Sequence, residues 1–236
     1  MERKIEIEEI GPDILLIKDA FENDIIKDLL DFKSNFSDKY FLQEINKGNR
    51  FNSTSHDRFE IWKEKKLFEK FDNYWMNKFE DVFQEYYLKH WDIVNNDWSK
   101  AKAHNKTEWK DLFLYHYHKG SSLHNPPHCD FSGFTFILCL EDEHEGGEVI
   151  FPKHKFSYRL NKNEMMIFPG GYTHVHGLSK ITNGERLILV GQSLPTKQEY
   201  KLGKAIDSYR YKDEKSIEAQ HLFSKLKKKI WLFFNK

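Results

Sequence analysis

From Leu112 to Gln192 the chain is a succession of short apolar or alternating segments: Leu112 to His118, Phe134 to Leu140, Glu148 to Phe151, Met165 to Phe168, Thr173 to Ile181 and Arg186 to Gln192, punctuated by Gly, Pro and Asn. Short runs of β-branched and aromatic residues between turn residues read as strands. Six or more such strands must bury their apolar faces by closing or by stacking. The pattern therefore predicts a sandwich or barrel of the jelly-roll or cupin type.

The first 110 residues obey a different period. Ile14 to Ile17 reads as a short strand, and Ile25, Ile26, Leu29 and Leu30 recur at helical spacing within a helix from about Glu22 to Phe32. Residues 34–57 have no clean period and leave room for one strand. From Phe59 to Trp91, apolar positions including Leu67, Phe68, Phe71, Trp75, Phe79 and Phe83 step by three and four, which predicts a long helix lying on a sheet. Residues 93–108 are polar and read as loop. The tail, EKSIEAQHLFSKLKKKIWLFFNK, reads as an amphipathic helix that docks on the barrel or makes a peripheral contact with a membrane surface or partner. The expected fold is thus α+β, a double-stranded β-helix (jelly-roll or cupin-like) core with packed N-terminal helices and a C-terminal helix. Its regions are 1–110 (support), 111–195 (core) and 196–236 (extension), within one structural domain.

Lys plus Arg equals Asp plus Glu at 37 each, so no global field favours nucleic acid. Cys129 and Cys139 are too few for a disulfide framework and suit a reducing compartment as small apolar fillers. The charged amino terminus lacks the apolar core of a signal peptide, and no run approaches a membrane span. A soluble cytoplasmic protein is the expectation.

Chemistry concentrates in PPHCDFSGF (126–134). Side chains two apart on a strand share a face, so His128 and Asp130 present an imidazole and a carboxylate side by side. One more histidine would complete a 2-His-1-carboxylate face for a metal. His174 and His176 are the candidates, and on a continuous strand both have the same parity. Thr182-Asn183-Gly184 carries a hairpin signal. With a two-residue loop Arg186 faces away from both histidines, and with a three-residue loop it pairs with Lys180 and shares their face. A site that combines these residues requires the second register, whose shorter reach favours His176, with His174 as the alternative. His116, His118, His144 and His154 read as structural, surface or supporting residues.

These residues resemble the iron(II)- and 2-oxoglutarate-dependent oxygenases of the prolyl 4-hydroxylase-like group. The family pattern of His-x-Asp, a distal His and a basic residue about ten positions later falls on His128, Asp130, His176 and Arg186. Tyr117-His118-Lys119-Gly120 is similar to the family's Tyr-x-x-Gly, LEDEHEGGEVIFP (140–152) to its acidic turn and Gly-Gly-Glu return, and MMIFPGGYTH (165–174) to the approach to its distal histidine. The resemblance spans residues 112–194.

It implies Fe(II) held by His128, Asp130 and His176, with 2-oxoglutarate gripped by Arg186 beside Tyr117, and O2 as co-substrate with ascorbate as an optional accessory. It also implies hydroxylation of a C–H bond with release of succinate and CO2, on a peptide or protein residue such as proline, or else on a small molecule. Nucleic-acid demethylation would call for a second arginine after Arg186, which RLILVGQS does not supply. The contrasting class is a non-catalytic jelly-roll binding module.

Overall fold

The structure is a computed structural model describing residues 5–35, 41–44, 56–61, 64–82, 107, 109–120, 127–130 and 132–193. Its strands are β1 (Ile7–Gly11), β2 (Ile14–Ile17), β3 (Phe41–Glu44), β4 (His56–Glu60), β5 (Trp109–Tyr117), β6 (Phe134–Glu141), β7 (His144–Gly146), β8 (Val149–Phe151), β9 (Phe156–Tyr158), β10 (Met165–Pro169), β11 (Gly177–Leu178), β12 (Ile181–Gly184) and β13 (Arg186–Ser193). Two helices, α1 (Asn23–Asn35) and α2 (Lys65–Lys78), complete the described elements of regular structure. The expected C-terminal helix lies outside the described residues. Among those described, no helix is long and apolar enough to cross a membrane.

Eight antiparallel strands form the main sheet in the order β1-β2-β10-β6-β13-β5-β4-β3. Opposite it stand a three-stranded sheet, β11-β8-β9, and a two-stranded one, β12-β7. The chain crosses repeatedly between the layers, which makes the core a jelly roll.

Alternation along the central strands separates two cores. On β6, Phe134, Phe136, Leu138 and Leu140 pack with Leu29, Phe71 and Trp75 of the helices, whereas Ile137 and Cys139 pack with Val149, Phe151 and Ile181 of the small sheets. The helical side is an aromatic stack, with Trp75 5.1 Å from Phe136 and 5.8 Å from Phe134. Lys70 of α2 reaches Asp24 and Asp28 of α1 and ties the two helices together. The inner space between the sheets is where β5, β6 and β13 present functional side chains.

Three expectations are corrected. The helix foreseen from Phe59 to Trp91 begins at Lys65, because Phe59 belongs to β4 and pairs with Leu114 of β5; the stretch beyond Val82 lies outside the described residues. Residues 34–57 contribute to two strands, β3 and β4, at the edge of the main sheet. The segment 173–181 is not one strand: Tyr172–His174 is a 3-10 turn, followed by the two-residue β11.

The hairpin at residues 182–184 is also overturned. β12 pairs with β7, while β13 pairs with β5 and β6, so neither proposed register exists. The Asn-Gly signal marks a backbone requirement instead. Gly184 has φ +72, and a Cβ there would lie 2.1 Å from the Glu143 carbonyl oxygen. It serves a corner where the chain leaves the small sheet for the large one.

Candidate active site

His128 and His176 form an isolated antiparallel bridge, each backbone N–H donating to the other's carbonyl at 2.8 Å. This reciprocal pairing sets the two rings 4.7 Å apart. Asp130, two residues along, turns its carboxylate between them: Oδ1 lies 3.5 Å from His128 Nε2 and Oδ2 3.5 Å from His176 Nε2. These separations are long for hydrogen bonds. All three donor atoms lie within 4.8 Å of one another, close enough for one ion to touch them all.

The surroundings fix these groups. The Asp130 N–H donates to the Gly170 carbonyl at 3.1 Å, and Gly170 must be glycine because a Cβ would fall 1.7 Å from Ser132 Oγ. The Thr135 hydroxyl donates to Asp130 Oδ2 at 2.6 Å and is itself 2.9 Å from Ser132 Oγ. His176 Nδ1 donates to the His174 carbonyl at 3.0 Å, which leaves the Nε2 lone pair of the neutral ring facing Asp130.

Burial dominates the electrostatics. It pushes His176 down to about 4 against the pull of Asp130, so the imidazole is neutral at pH 7. For Asp130 burial works toward a higher value, but His176, His128 and the Thr135 hydroxyl outweigh it and hold the carboxyl well below the usual range. The centre presents a carboxylate and a neutral imidazole donor, the forms that bind a metal.

His174 sits apart from this set. Its Nε2 donates to the Pro12 carbonyl at 2.8 Å and its Nδ1 faces the Thr173 hydroxyl at 2.9 Å. The 3-10 turn breaks the parity that made the two histidines equivalent in an extended reading, so only His176 faces Asp130.

Arg186 opens β13 with 1% of its surface exposed. Its Nε, Nη1 and Nη2 are all buried without a hydrogen-bond partner among the described residues. Tyr117 stands opposite it in the β5–β13 ladder, buried on the same inner side. Cys139 is near enough for the two to influence each other, yet burial pushes the thiol up to about 11, so it supplies no counter-anion. A guanidinium buried without hydrogen-bonded partners costs several kcal/mol.

Two residues gain significance that their sequence context hid. His144, in polar turn-like text, is buried at β7 with neither nitrogen hydrogen-bonded; burial first, then Arg186 and Arg159, push it down to about 4. Thr135 shares the inner face of β6 with Ile137 and Cys139, a parity the strand pattern could have supplied. His154 Nε2 donates to the Thr173 carbonyl at 2.9 Å.

The fold has counterparts among solved structures of 2-oxoglutarate and iron oxygenases. The structure matches an oxidoreductase of the 2OG-Fe(II) oxygenase family from Burkholderia pseudomallei with a TM-score of 0.53 and 11% identity, covering 79% of this chain and 86% of that one. It matches a prolyl-4-hydroxylase from Pseudomonas putida with a TM-score of 0.51 and 12% identity, over 78% and 92%. At such identities the likeness is one of fold.

In sequence the chain is similar to PKHD-type hydroxylases. One from Prochlorococcus marinus (strain MIT 9515) is 29% identical over 130 residues, 51% of this chain and 58% of that protein. The chain spans between 26% and 58% of the length of the curated relatives it matches. No protein-family model matches it.

Proposed function

We propose that this chain is an Fe(II)- and 2-oxoglutarate-dependent dioxygenase. In this reading His128, Asp130 and His176 hold the iron, and Arg186 receives the distal carboxylate of 2-oxoglutarate. The observation that carries it is the guanidinium of Arg186, buried on the inner face that also carries Thr135, the partner of Asp130, with no hydrogen-bond partner among the described residues for any of its three nitrogens. A planar fork of donors in a dry site suits a carboxylate, which would neutralise the buried charge on binding.

The donor set also fits the metal. Two imidazoles and one carboxylate leave open positions of the kind non-haem Fe(II) oxygenases use. When bound, the iron would supply oxidation of a C–H bond coupled to decarboxylation of the cosubstrate. The chain's own residues do the positioning. Thr135 aims the Asp130 carboxylate, the His174 carbonyl fixes the tautomer of His176, and Arg186 with Tyr117 orients the dicarboxylate from the far side. His144, buried beside Arg186 as a neutral ring, offers a second donor for the same carboxylate.

The substrate we infer is a peptidyl residue such as proline. Fold likeness to the Pseudomonas putida prolyl-4-hydroxylase supports this, together with similarity to PKHD-type hydroxylases. Anaerobic titration of the full chain with Fe(II) and 2-oxoglutarate tests the reading through the visible charge-transfer band of the chelate. The band should vanish in His176→Ala and persist in His174→Ala. A folded wild-type chain that gives no band would overturn the oxygenase reading.

A further inference from the structure

Where β5 meets β13, on the side turned away from Tyr117 and Arg186, lies a second convergence of metal-binding groups. His116 lies on the face of β5 that carries Leu112 and Leu114 toward the helices, and His118 directly follows the strand's last residue, Tyr117. Glu185 directly precedes β13, two residues before Leu187, which pairs with His116. The β5–β13 register therefore brings one carboxylate up to two imidazoles. His116 Nε2 lies 2.9 Å from Glu185 Oε2, and His118 Nδ1 lies 3.3 Å from Glu185 Oε1. The two rings meet edge to face with centroids 4.3 Å apart.

We propose that His116, His118 and Glu185 form a second site, for a borderline divalent transition metal such as Zn2+, on the outer face of the β5–β13 pair. The three donor atoms lie within 4.8 Å of one another. Two imidazole nitrogens and a carboxylate oxygen are a tridentate set that zinc accepts with a water as fourth ligand. His116 is fixed in the β5–β13 ladder, and His118 and Glu185 directly adjoin its last pair, Tyr117 and Arg186, which limits the conformational freedom to be lost on binding. His116 is buried, while His118 and Glu185 reach solvent and leave an entry path. The alternative is a hydrogen-bonded trio that merely tethers the strand ends. That alternative predicts no affinity for metal.

The site is independent of the inner centre and does not rest on the oxygenase reading. The test is equilibrium dialysis of metal-free full-length chain against Zn2+, with Co2+ as a spectroscopic probe, in wild type, Glu185→Gln, His118→Ala and Asp130→Ala. Glu185→Gln keeps the side chain's size and hydrogen bonding but removes the charged ligand. Its exposed position makes misfolding an unsuitable explanation for lost binding. Wild type should bind about one equivalent more than Glu185→Gln or His118→Ala. The Co2+ spectrum of Asp130→Ala should retain the intense visible bands of a low-coordinate site, and adding Glu185→Gln should abolish them. Equal stoichiometry in wild type and Glu185→Gln would overturn the proposal. So would Co2+ bands in Asp130→Ala that survive the added Glu185→Gln. If the inner centre bound no metal, Asp130→Ala would match wild type while the Glu185 comparison still gave its answer.

Discussion

The two candidate metal centres carry the same ligand types, two imidazoles and a carboxylate, in different settings. Inside, Asp130 is a short carboxylate held by Thr135 between two histidines whose backbones are bonded to each other. Outside, Glu185 is a longer carboxylate, more than half exposed, meeting His116 of β5 and His118 just beyond its end. The inner set is preorganised by hydrogen bonds and largely buried, on a side of the main sheet that also carries the buried Arg186; the outer one is open to water through His118 and Glu185. The ligand triad alone does not distinguish a reaction centre from an accessory metal site. Its burial and its supporting hydrogen bonds do.

The largest effect should come from the cation. Arg186→Met keeps much of the volume and removes a buried charge that has no hydrogen-bond partner among the described residues. Truncating one member of a buried charge pair typically costs 2–5 kcal/mol of binding, so 2-oxoglutarate affinity should fall by about a hundredfold. Chain stability without cosubstrate should rise instead, by about 1–3 kcal/mol, because an unpaired charge leaves the interior. Calorimetric titration and thermal unfolding of the same variant read both signs. A loss of stability together with unchanged affinity would make Arg186 an ordinary structural residue and erase the contrast between the faces.

Acid should act on the inside first. His176 and His144 are both pushed from 6.5 to about 4 in the folded chain by burial. Their folded values lie below the unfolded one, so the unfolded chain binds more protons between them. Stability is therefore complete above pH 6.5 and is lost as pH falls toward 4. At pH 5 the metal-free chain should have lost on the order of 2 kcal/mol through His176, with His144 adding in the same direction. Thermal unfolding across this window should flatten in His144→Phe. A slope that instead follows Glu185→Gln would place the acid-sensitive group on the outer face.

Thr135→Val removes the hydroxyl that orients Asp130 and keeps the β-branched shape. Losing such a supporting hydrogen bond typically weakens metal binding 10–100-fold, and with both histidines intact about tenfold is expected here. Zinc retained through His116, His118 and Glu185 should be unaffected. Dialysis in the Glu185→Gln background isolates the inner component, and equal affinity with and without Thr135 would show that Asp130 needs no support.

The sequence made some of this visible, for identifiable reasons. His128 and Asp130 stand two apart, and local spacing survives any tertiary arrangement. The central strands were legible because β6, β10 and β13 are dense runs of apolar residues buried on both sides. The hairpin at 182–184 was misread because Asn-Gly reports a positive-φ requirement and not the identity of the strand that pairs next. His174 and His176 looked equivalent only while 173–181 was taken as one strand. The approach of Glu185 to His116 was invisible, since it depends on the register between strands about seventy positions apart. β7 and β9, three residues each, are too short for any periodicity to mark.

The smallest effect sharpens the comparison most. An ion on the outer face would join the strand ends that carry Tyr117 and Arg186 inward, which suggests at first that its loss disturbs cosubstrate binding. The ladder argues otherwise. Arg186 is already paired with Tyr117, and the residues from Leu187 onward are bonded on both sides, to β5 and β6. A strand held along both edges gains little rigidity from a further tether at one end. Glu185→Gln should therefore change 2-oxoglutarate turnover by less than about twofold, or roughly 0.4 kcal/mol, even as the second metal equivalent disappears. A larger loss, reversed when Zn2+ is restored to wild type but not to the variant, would mean that the two faces are coupled through the Glu185–Arg186 step, making the outer metal a regulator of the inner centre.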